Sequence, residues 1–280
     1  MTRPLASVAR RGAIAILVVT AICQRADADS ASPWHLQASL GYHFSSGEYG
    51  EERSTEIGYV PFIASVDHGP WNAELTLPYI RVSGPRGIVG TLGDPASTTT
   101  DVRTNSGLGD VQAVFRFTAT PERAWLPTTT AALRIKAPTA DEDDGLGTGE
   151  WDVTPEIDAA WVVGRFTPFL GLAYEFLGDP GERVEDDGSV TGFELDDAVR
   201  GYAGIAAQLW PRWQLGLLVD AGTPTADGAG DRIDIVPFTS VALRDDWLVQ
   251  VYGTAGLARG SADEGFGIQL TWHGLELGTR

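Results

Sequence analysis

The chain is 280 residues long, carries a formal net charge of -18 at pH 7, and contains 34 glycines, one cysteine and nine tryptophans. Its basic residues form no cluster of five or more, so we do not expect it to bind nucleic acid, because phosphate binding depends on such clusters. A single cysteine cannot form an internal disulfide framework or a cysteine-rich zinc site. A glycine content above the average of about 7% favours a β-rich chain.

The N-terminal residues have the composition of an export signal. Three arginines, Arg3, Arg10 and Arg11, precede the apolar residues 13–22. Ala26-Asp27-Ala28 has the small-x-small pattern of a signal-peptidase site. The apolar stretch is too short to cross ~30 Å of hydrocarbon as a helix. We therefore predict a cleaved signal peptide at residues 1–28 and one exported domain at residues 29–280.

Beyond the signal, apolar and polar residues alternate along short segments, which is typical of β-strands with one apolar face. The first segment alternates from Trp34 to Phe44, and the pattern returns along the chain as far as Trp272. We count twelve strands. For one of them, from Thr55 to Asp67, the sequence does not fix the register.

The connections between these strands alternate in length. Short turns are predicted at residues 68–70, 121–127, 164–165, 211–212 and 244–246, and longer loops at residues 46–53, 84–107, 137–150, 179–196, 222–231 and 258–264. An even strand number with short turns at one end is the signature of an antiparallel transmembrane β-barrel, whose short turns face the periplasm and whose longer loops are extracellular. We predict this all-β fold in the outer membrane of a Gram-negative cell, as a monomer.

Tryptophan placement supports the same topology, since tryptophan prefers the membrane interface. Eight of the nine tryptophans are predicted at periplasmic strand ends, and only Trp151 is at the outer end. The predicted interface girdle consists of Trp34, Trp71, Trp125, Trp161, Trp210, Trp213, Trp247 and Trp272. A soluble all-β domain is the alternative, but it gives no reason for this sorting.

If the apolar rows face lipid, the alternate positions line the interior. The predicted lumen residues are Glu74, Asp110, Arg116, Arg134, Lys136, Asp152, Glu156, Asp158, Glu175, Arg200, Asp220 and Asp234. These charges have one interpretation as pairs that join strands and rigidify the wall. The other interpretation is a water-filled path that favours cations or neutral polar solutes, because acids outnumber bases.

The sequence contains no convincing catalytic or metal site. Four histidines are present; His43 is predicted to point inward beside Ser45, and none presents a lipid-facing nucleophile and base pair. The acidic run at Asp141 misses the EF-hand spacing. We predict no enzyme activity, no metal and no cofactor. Divalent ions that bridge the acidic loops to anionic lipid remain an alternative to simple solvation of these loops.

Two segments resemble a known family. The strand start Ser106-Gly107-Leu108-Gly109-Asp110-Val111 and the loop from Lys136 to Asp141 followed by Gly145-Leu146-Gly147-Thr148-Gly149 are similar to those of the outer-membrane transporter family named for the MetA pathway of phenol degradation. Ala140 replaces the glycine usual in that family. The resemblance implies an outer-membrane barrel for uptake of small, aromatic or hydrophobic compounds.

These observations predict a channel for passive passage of small solutes, with outer-membrane lipid and the barrel-assembly machinery as its partners. We expect specificity to come from Asp158, Glu175 and Arg200, together with inward folding of the loop from Gly84 to Gly107. A non-conducting structural or surface-binding barrel is the alternative. The residues after Trp272 either hang free in the periplasm or extend the last strand, and the sequence leaves both open.

Overall fold

The computed structural model describes residues 34–49, 54–85, 102–123, 125–142, 144–179, 182–184, 190–192, 195–225 and 229–277. The predicted signal peptide lies outside these residues. Among the described residues, no helix is long and apolar enough to cross a membrane.

The described residues form fifteen β-strands. They are β1 (Trp34–Gly47), β2 (Thr55–His68), β3 (Trp71–Pro85), β4 (Val102–Leu108), β5 (Val111–Ala119), β6 (Thr128–Ala137), β7 (Asp152–Ala160), β8 (Phe166–Glu175), β9 (Glu182–Val184), β10 (Val190–Gly192), β11 (Ala198–Trp210), β12 (Trp213–Gly222), β13 (Arg232–Arg244), β14 (Trp247–Gly256) and β15 (Glu264–Leu277).

Thirteen of these strands form one antiparallel sheet that closes on itself. β1 pairs with both β2 and β15, and a further pairing of β2 with β3 completes the ring. β4 and β5 pair with different parts of β3, namely its second half and its first half. They therefore count as one strand in the ring, which has twelve strand positions. The structure therefore confirms the predicted all-β, twelve-stranded antiparallel barrel. Closure leaves the sheet without an open side, which is the condition for a strand protein to span lipid.

Two of the predicted long loops are partly strand. The loop expected from Gly84 to Gly107 is shorter, because β3 continues to Pro85 and pairs with β4 from Val102 onward. The residues at its tip, 86–101, lie outside the described residues. The loop expected from Asp179 to Asp196 contains the two-stranded hairpin of β9 and β10. These hairpins are rich in polar residues and have no continuous apolar row. The alternation of polar and apolar residues therefore did not predict them.

The register of β2 explains why it was not predictable. Its outward residues include Val60 and Phe62, whereas Tyr59, Pro61 and Ile63 face inward and are buried. Pro61 lies opposite the inward-facing Pro78 of β3. Both faces of this strand are therefore apolar, and alternation of polarity cannot reveal its phase.

The last strand continues past Trp272. β15 pairs with β1 as far as Trp34 opposite Leu277, so residues 273–277 extend the strand and do not hang free. Both ends of the described barrel thus lie at the short-turn end, together with the turns that follow β2, β7, β11 and β13.

Removal of residues 273–280 is expected to destabilise the barrel, because it leaves the start of β1 without its partner on one side. Each backbone hydrogen bond lost there costs about 1 kcal/mol. Thermal unfolding of the refolded barrel, followed by circular dichroism, should show a lower midpoint. Removal of residues 278–280 alone is the control and should leave the midpoint unchanged; equal stability of both truncated chains would contradict a stabilising role for the pairing of residues 273–277 with β1.

Candidate functional site: the barrel lumen

The barrel encloses a cavity of about 1020 Å³ that opens at the short-turn end. Turn residues Gly69, Gly164 and Pro211 surround its mouth. Its inner end, away from these turns, is lined by charged and aromatic side chains, namely Glu74, Arg116, Asp158, Phe169 and Tyr202. A solute at the short-turn end therefore has access to these side chains.

A charged belt crosses the inner wall at the end of this cavity. Arg116 Nη1 lies 3.0 Å from Glu74 Oε2, and Arg134 Nη2 lies 3.7 Å from Glu156 Oε2. The Tyr202 hydroxyl lies 3.2 Å from Glu156 Oε1 and also contacts Asp158 Oδ1, so its single proton is shared between the two carboxyl groups. The strands β3, β5, β6, β7 and β11 contribute these groups, so the belt spans a large part of the circumference.

Two polar atoms of this belt have no hydrogen-bond partner among the described residues. Glu74 Oε1 and Arg134 Nη1 are both buried without one. Glu74 on β3 and Arg134 on β6 lie on either side of Val114, the residue of β5 that is paired with both of them. A buried charged group without a partner is costly. Glu74 lines the cavity, so water or a polar solute there would supply the contact that its Oε1 lacks.

Two further charge clusters lie toward the long-loop end. In the first, Lys136 Nζ is 2.9 Å from Asp110 Oδ2 and 3.2 Å from Asp152 Oδ2, and it donates to the Thr148 hydroxyl at 2.8 Å. All of these side chains are buried. The cluster joins β5 to β6 and β7, and one lysine there compensates two aspartates.

The second cluster joins β11, β12 and β13. Arg200 Nη2 is 2.6 Å from Asp220 Oδ2, and Arg232 also contacts Asp220 and lies 3.6 Å from Asp234. Glu175 is half-buried on the same side, at the end of β8. The positive charges of Arg200 and Arg232 balance the negative charges of Asp220 and Asp234 within this cluster.

Arg232 was missed at the sequence level. It lies between a predicted loop and a predicted strand, before the first apolar residue of that strand. Because it is two residues before Asp234, it lies on the same face of β13. This spacing could have predicted that Arg232 faces the lumen. With Arg232 included, the bias toward acid in the lumen is smaller than the sequence indicated.

The long-loop end is covered by the segment of residues 138–151, which folds into the barrel. Leu146 is 5% exposed and packs with Ile57, Tyr59, Ile80 and Val82 of the inner wall. Asp110 Oδ1 accepts hydrogen bonds from the backbone N–H groups of residues 139 and 140, each at 3.0 Å. This segment therefore folds inward; the loop from Gly84 to Gly107, which was expected to do so, has its tip outside the described residues, so its inward folding stays a prediction.

Tyr49 completes this apolar cover from the opposite side. Its ring packs with the same cluster, and its hydroxyl donates to Ser45 Oγ at 2.8 Å. Burial, together with the nearby Asp234 and Asp263 carboxylates, raises the pKa of Tyr49 to about 12, against the opposing effect of the bond to Ser45. The group therefore remains a neutral donor at ordinary pH. We call residues 138–151 with Tyr49 the outer cover.

The histidine predicted to face inward is buried and contacts a tyrosine. His43 is 2% exposed, and its Nδ1 lies 3.0 Å from the hydroxyl of Tyr252. Its Nε2 has no partner among the described residues. Within the same residues there is no group of three or more His, Cys, Asp or Glu side chains placed to hold a metal.

The eight tryptophans of the predicted girdle all lie at or beside strand ends on the short-turn side. Trp210 and Trp213 stack with ring centroids 4.8 Å apart, Trp71 contacts Phe117 at 4.8 Å, and Trp247 pairs with Trp272 across β14 and β15. Most of these rings are at least one-third exposed on the outer surface. Trp151, at the opposite end, is 59% exposed.

The outer face of the barrel is strongly apolar. Large apolar side chains such as Leu40, Phe62, Phe115, Leu172 and Ile268 are between 47% and 57% exposed there. A soluble protein does not present an apolar surface that encircles the molecule, whereas an outer-membrane barrel presents one to lipid.

Comparison with known proteins identifies the fold. No protein-family model and no curated protein sequence matches this chain. Among solved structures it is similar to the COG4313 outer membrane channel from Pseudomonas putida F1, with 14% identity, a TM-score of 0.66, and coverage of 89% of this chain and 98% of that one. The translocator domain of the autotransporter NalP from Neisseria meningitidis has 12% identity, a TM-score of 0.57 and 96% coverage of both chains.

The NanC porin is a third similar structure, with 9% identity, a TM-score of 0.52, and coverage of 86% of this chain and all of that one. At these identities the likeness concerns the fold. This chain therefore has the fold of outer-membrane β-barrels.

Proposed function

We propose that this protein is an outer-membrane channel that lets small solutes diffuse through its lumen without a cofactor. The observation that carries the proposal is the cavity of about 1020 Å³, which opens at the short-turn end and reaches the charged belt. Residues 1–28 would direct export, and residues 29–280 would form the single barrel domain. The apolar outer face and the tryptophan girdle would hold it in lipid, with the short turns in the periplasm.

The charges of the lumen support a preference for cations and neutral polar solutes. The predicted lumen residues hold eight acids, and with Arg232 they face five bases. At the inner end of the cavity, Glu74 and Asp158 accompany the single base Arg116. Rings of acidic side chains lower the energy of cations in a pore.

The inner aromatic side chains support passage of aromatic or hydrophobic compounds, which the family resemblance also implies. Phe169 and Tyr202 reach the cavity, and Phe238 and Tyr252 continue the same inner cluster. Aromatic side chains in the wall of the cavity, beside a polar belt, suit a solute with an aromatic ring and one or two polar substituents.

A non-conducting structural barrel is the second candidate, and the outer cover favours it. Leu146 closes on the inner wall, and most lumen charges are paired. In this case the ion pairs serve to rigidify the wall, and the cavity ends blindly at the belt. Measured conductance separates the two candidates.

The purified barrel in planar bilayers is expected to be cation-selective, as read from the reversal potential in a salt gradient. Glu74→Gln should shift that potential toward anions, because Arg116 then loses its carboxylate partner. Asp245→Asn removes the same charge from an exposed turn and should change little. Anion selectivity of the unmodified barrel, or no conductance, would overturn the proposal.

Leu146→Ser is expected to loosen the outer cover, since burying a leucine side chain is worth about 2 kcal/mol. Single-channel recordings should show a higher conductance or a longer open time. Leu257→Ser is the matched control, because Leu257 is 63% exposed at the same end. If both variants behave like the unmodified barrel, residues 138–151 do not limit passage.

A further inference from the structure

Four inward-facing aromatic rings each lie directly opposite a glycine of the neighbouring strand. The pairs are Phe169 with Gly204, Tyr202 with Gly171, Phe238 with Gly216, and Tyr252 with Gly267. In each pair, a methyl group built on the glycine would overlap the aromatic ring. Every one of these rings therefore occupies the space that a side chain at the opposite position would need.

This arrangement decides where the rings lie in the barrel. Residues directly opposite each other in an antiparallel pair have Cβ atoms about 5 Å apart, and side chains in strands normally stand perpendicular to the sheet. A glycine leaves its place on the wall empty, so the opposite ring can tilt sideways and cover the glycine backbone. The ring then lies along the wall and does not project toward the barrel axis.

The burial of the rings agrees with this geometry. Phe169 and Phe238 are each 3% exposed, and they pack with the fully buried Leu218 and Val236 of the same wall. Arg200 lies over the Tyr202 ring, 5.8 Å from its centroid. The wall formed by β8 and β11 to β15 is thus a packed layer of aromatic and aliphatic side chains.

We propose that these four glycines are specificity-determining residues, because they set the width of the lumen and hence the largest solute that passes. The inference rests on the proposed channel function. Two of the rings, Phe169 and Tyr202, are at the inner end of the cavity. A ring displaced from its glycine there would move into the path that a solute takes.

The experiment compares glycine substitutions at crowded and uncrowded positions. Gly216→Ala and Gly267→Ala are expected to push the rings of Phe238 and Tyr252 into the lumen, with loss of most single-channel conductance. Gly222→Ala on the inner face and Gly253→Ala on the outer face are matched controls, since the nearest atoms to an added methyl group there are 3.7 and 3.8 Å away. Both controls should conduct like the unmodified barrel.

A double variant separates ring displacement from other effects of the added methyl group. Phe238→Ala removes the ring, so that Gly216→Ala has nothing left to displace. The variant Phe238→Ala and the double variant Phe238→Ala with Gly216→Ala should then conduct equally, and both should conduct at least as well as the unmodified barrel. Liposome swelling with sugars of increasing size should rank the variants in the same order, by the largest sugar that each barrel admits.

The outcomes are distinguishable once folding is established by the shift in gel mobility on heating. If the unmodified barrel does not conduct, the channel function fails and the inference falls with it. If the unmodified barrel conducts and folded Gly216→Ala and Gly267→Ala match the controls, the inference alone is wrong. A conductance loss that persists in the double variant would also overturn it.

Discussion

Closure of the hydrogen-bond ladder is the constraint on which the rest of this structure depends. In hydrocarbon no water is present to pair with backbone N–H and C=O groups, so each must find a partner within the sheet. The pairing of β1 with both β2 and β15 meets this demand around the full circumference. Once the ring is closed, every strand has an inner and an outer face, and the alternation of side chains assigns each residue to lipid or to lumen.

The inner face is divided into walls of different chemistry. The β2 wall is apolar, with Tyr59, Pro61 and Ile63 directed inward, whereas β3, β5 to β7 and β11 carry the charged belt and β6 and β7 carry the Lys136 cluster. The wall from β8 to β15 combines rings with the Arg200 and Arg232 cluster. The buried charges of the belt and of the two clusters lie beside an opposite charge or a hydroxyl, as the cost of isolating them requires. A solute in the lumen would therefore meet apolar and charged surfaces at the same height.

The sequence was most informative where the two faces differ in polarity. Alternation predicted the strand count, the barrel and the lumen side of residues such as Arg134 and Asp220, because one polar and one apolar row leave little choice of phase. It did not give the phase of β2, which is apolar on both faces. It did not predict β4, β9 and β10, which belong to polar hairpins beyond the apolar part of the barrel. Which charges pair, and which loop folds inward, depends on distances across the barrel that no local pattern contains. The glycine content indicated only a β-rich chain, although several glycines have a specific place opposite a ring.

The pairing of the first and last strands also has a consequence for how the chain folds. Ser39 and Thr271 are 232 positions apart in sequence, yet their hydroxyl oxygens lie 2.9 Å apart. Contacts between such distant residues form slowly, because a long loop must close before they contribute any stability. Until β15 has been synthesised and delivered, β1 and β14 each present an unpaired edge that can aggregate. The barrel can therefore close only after the last strand has joined the first.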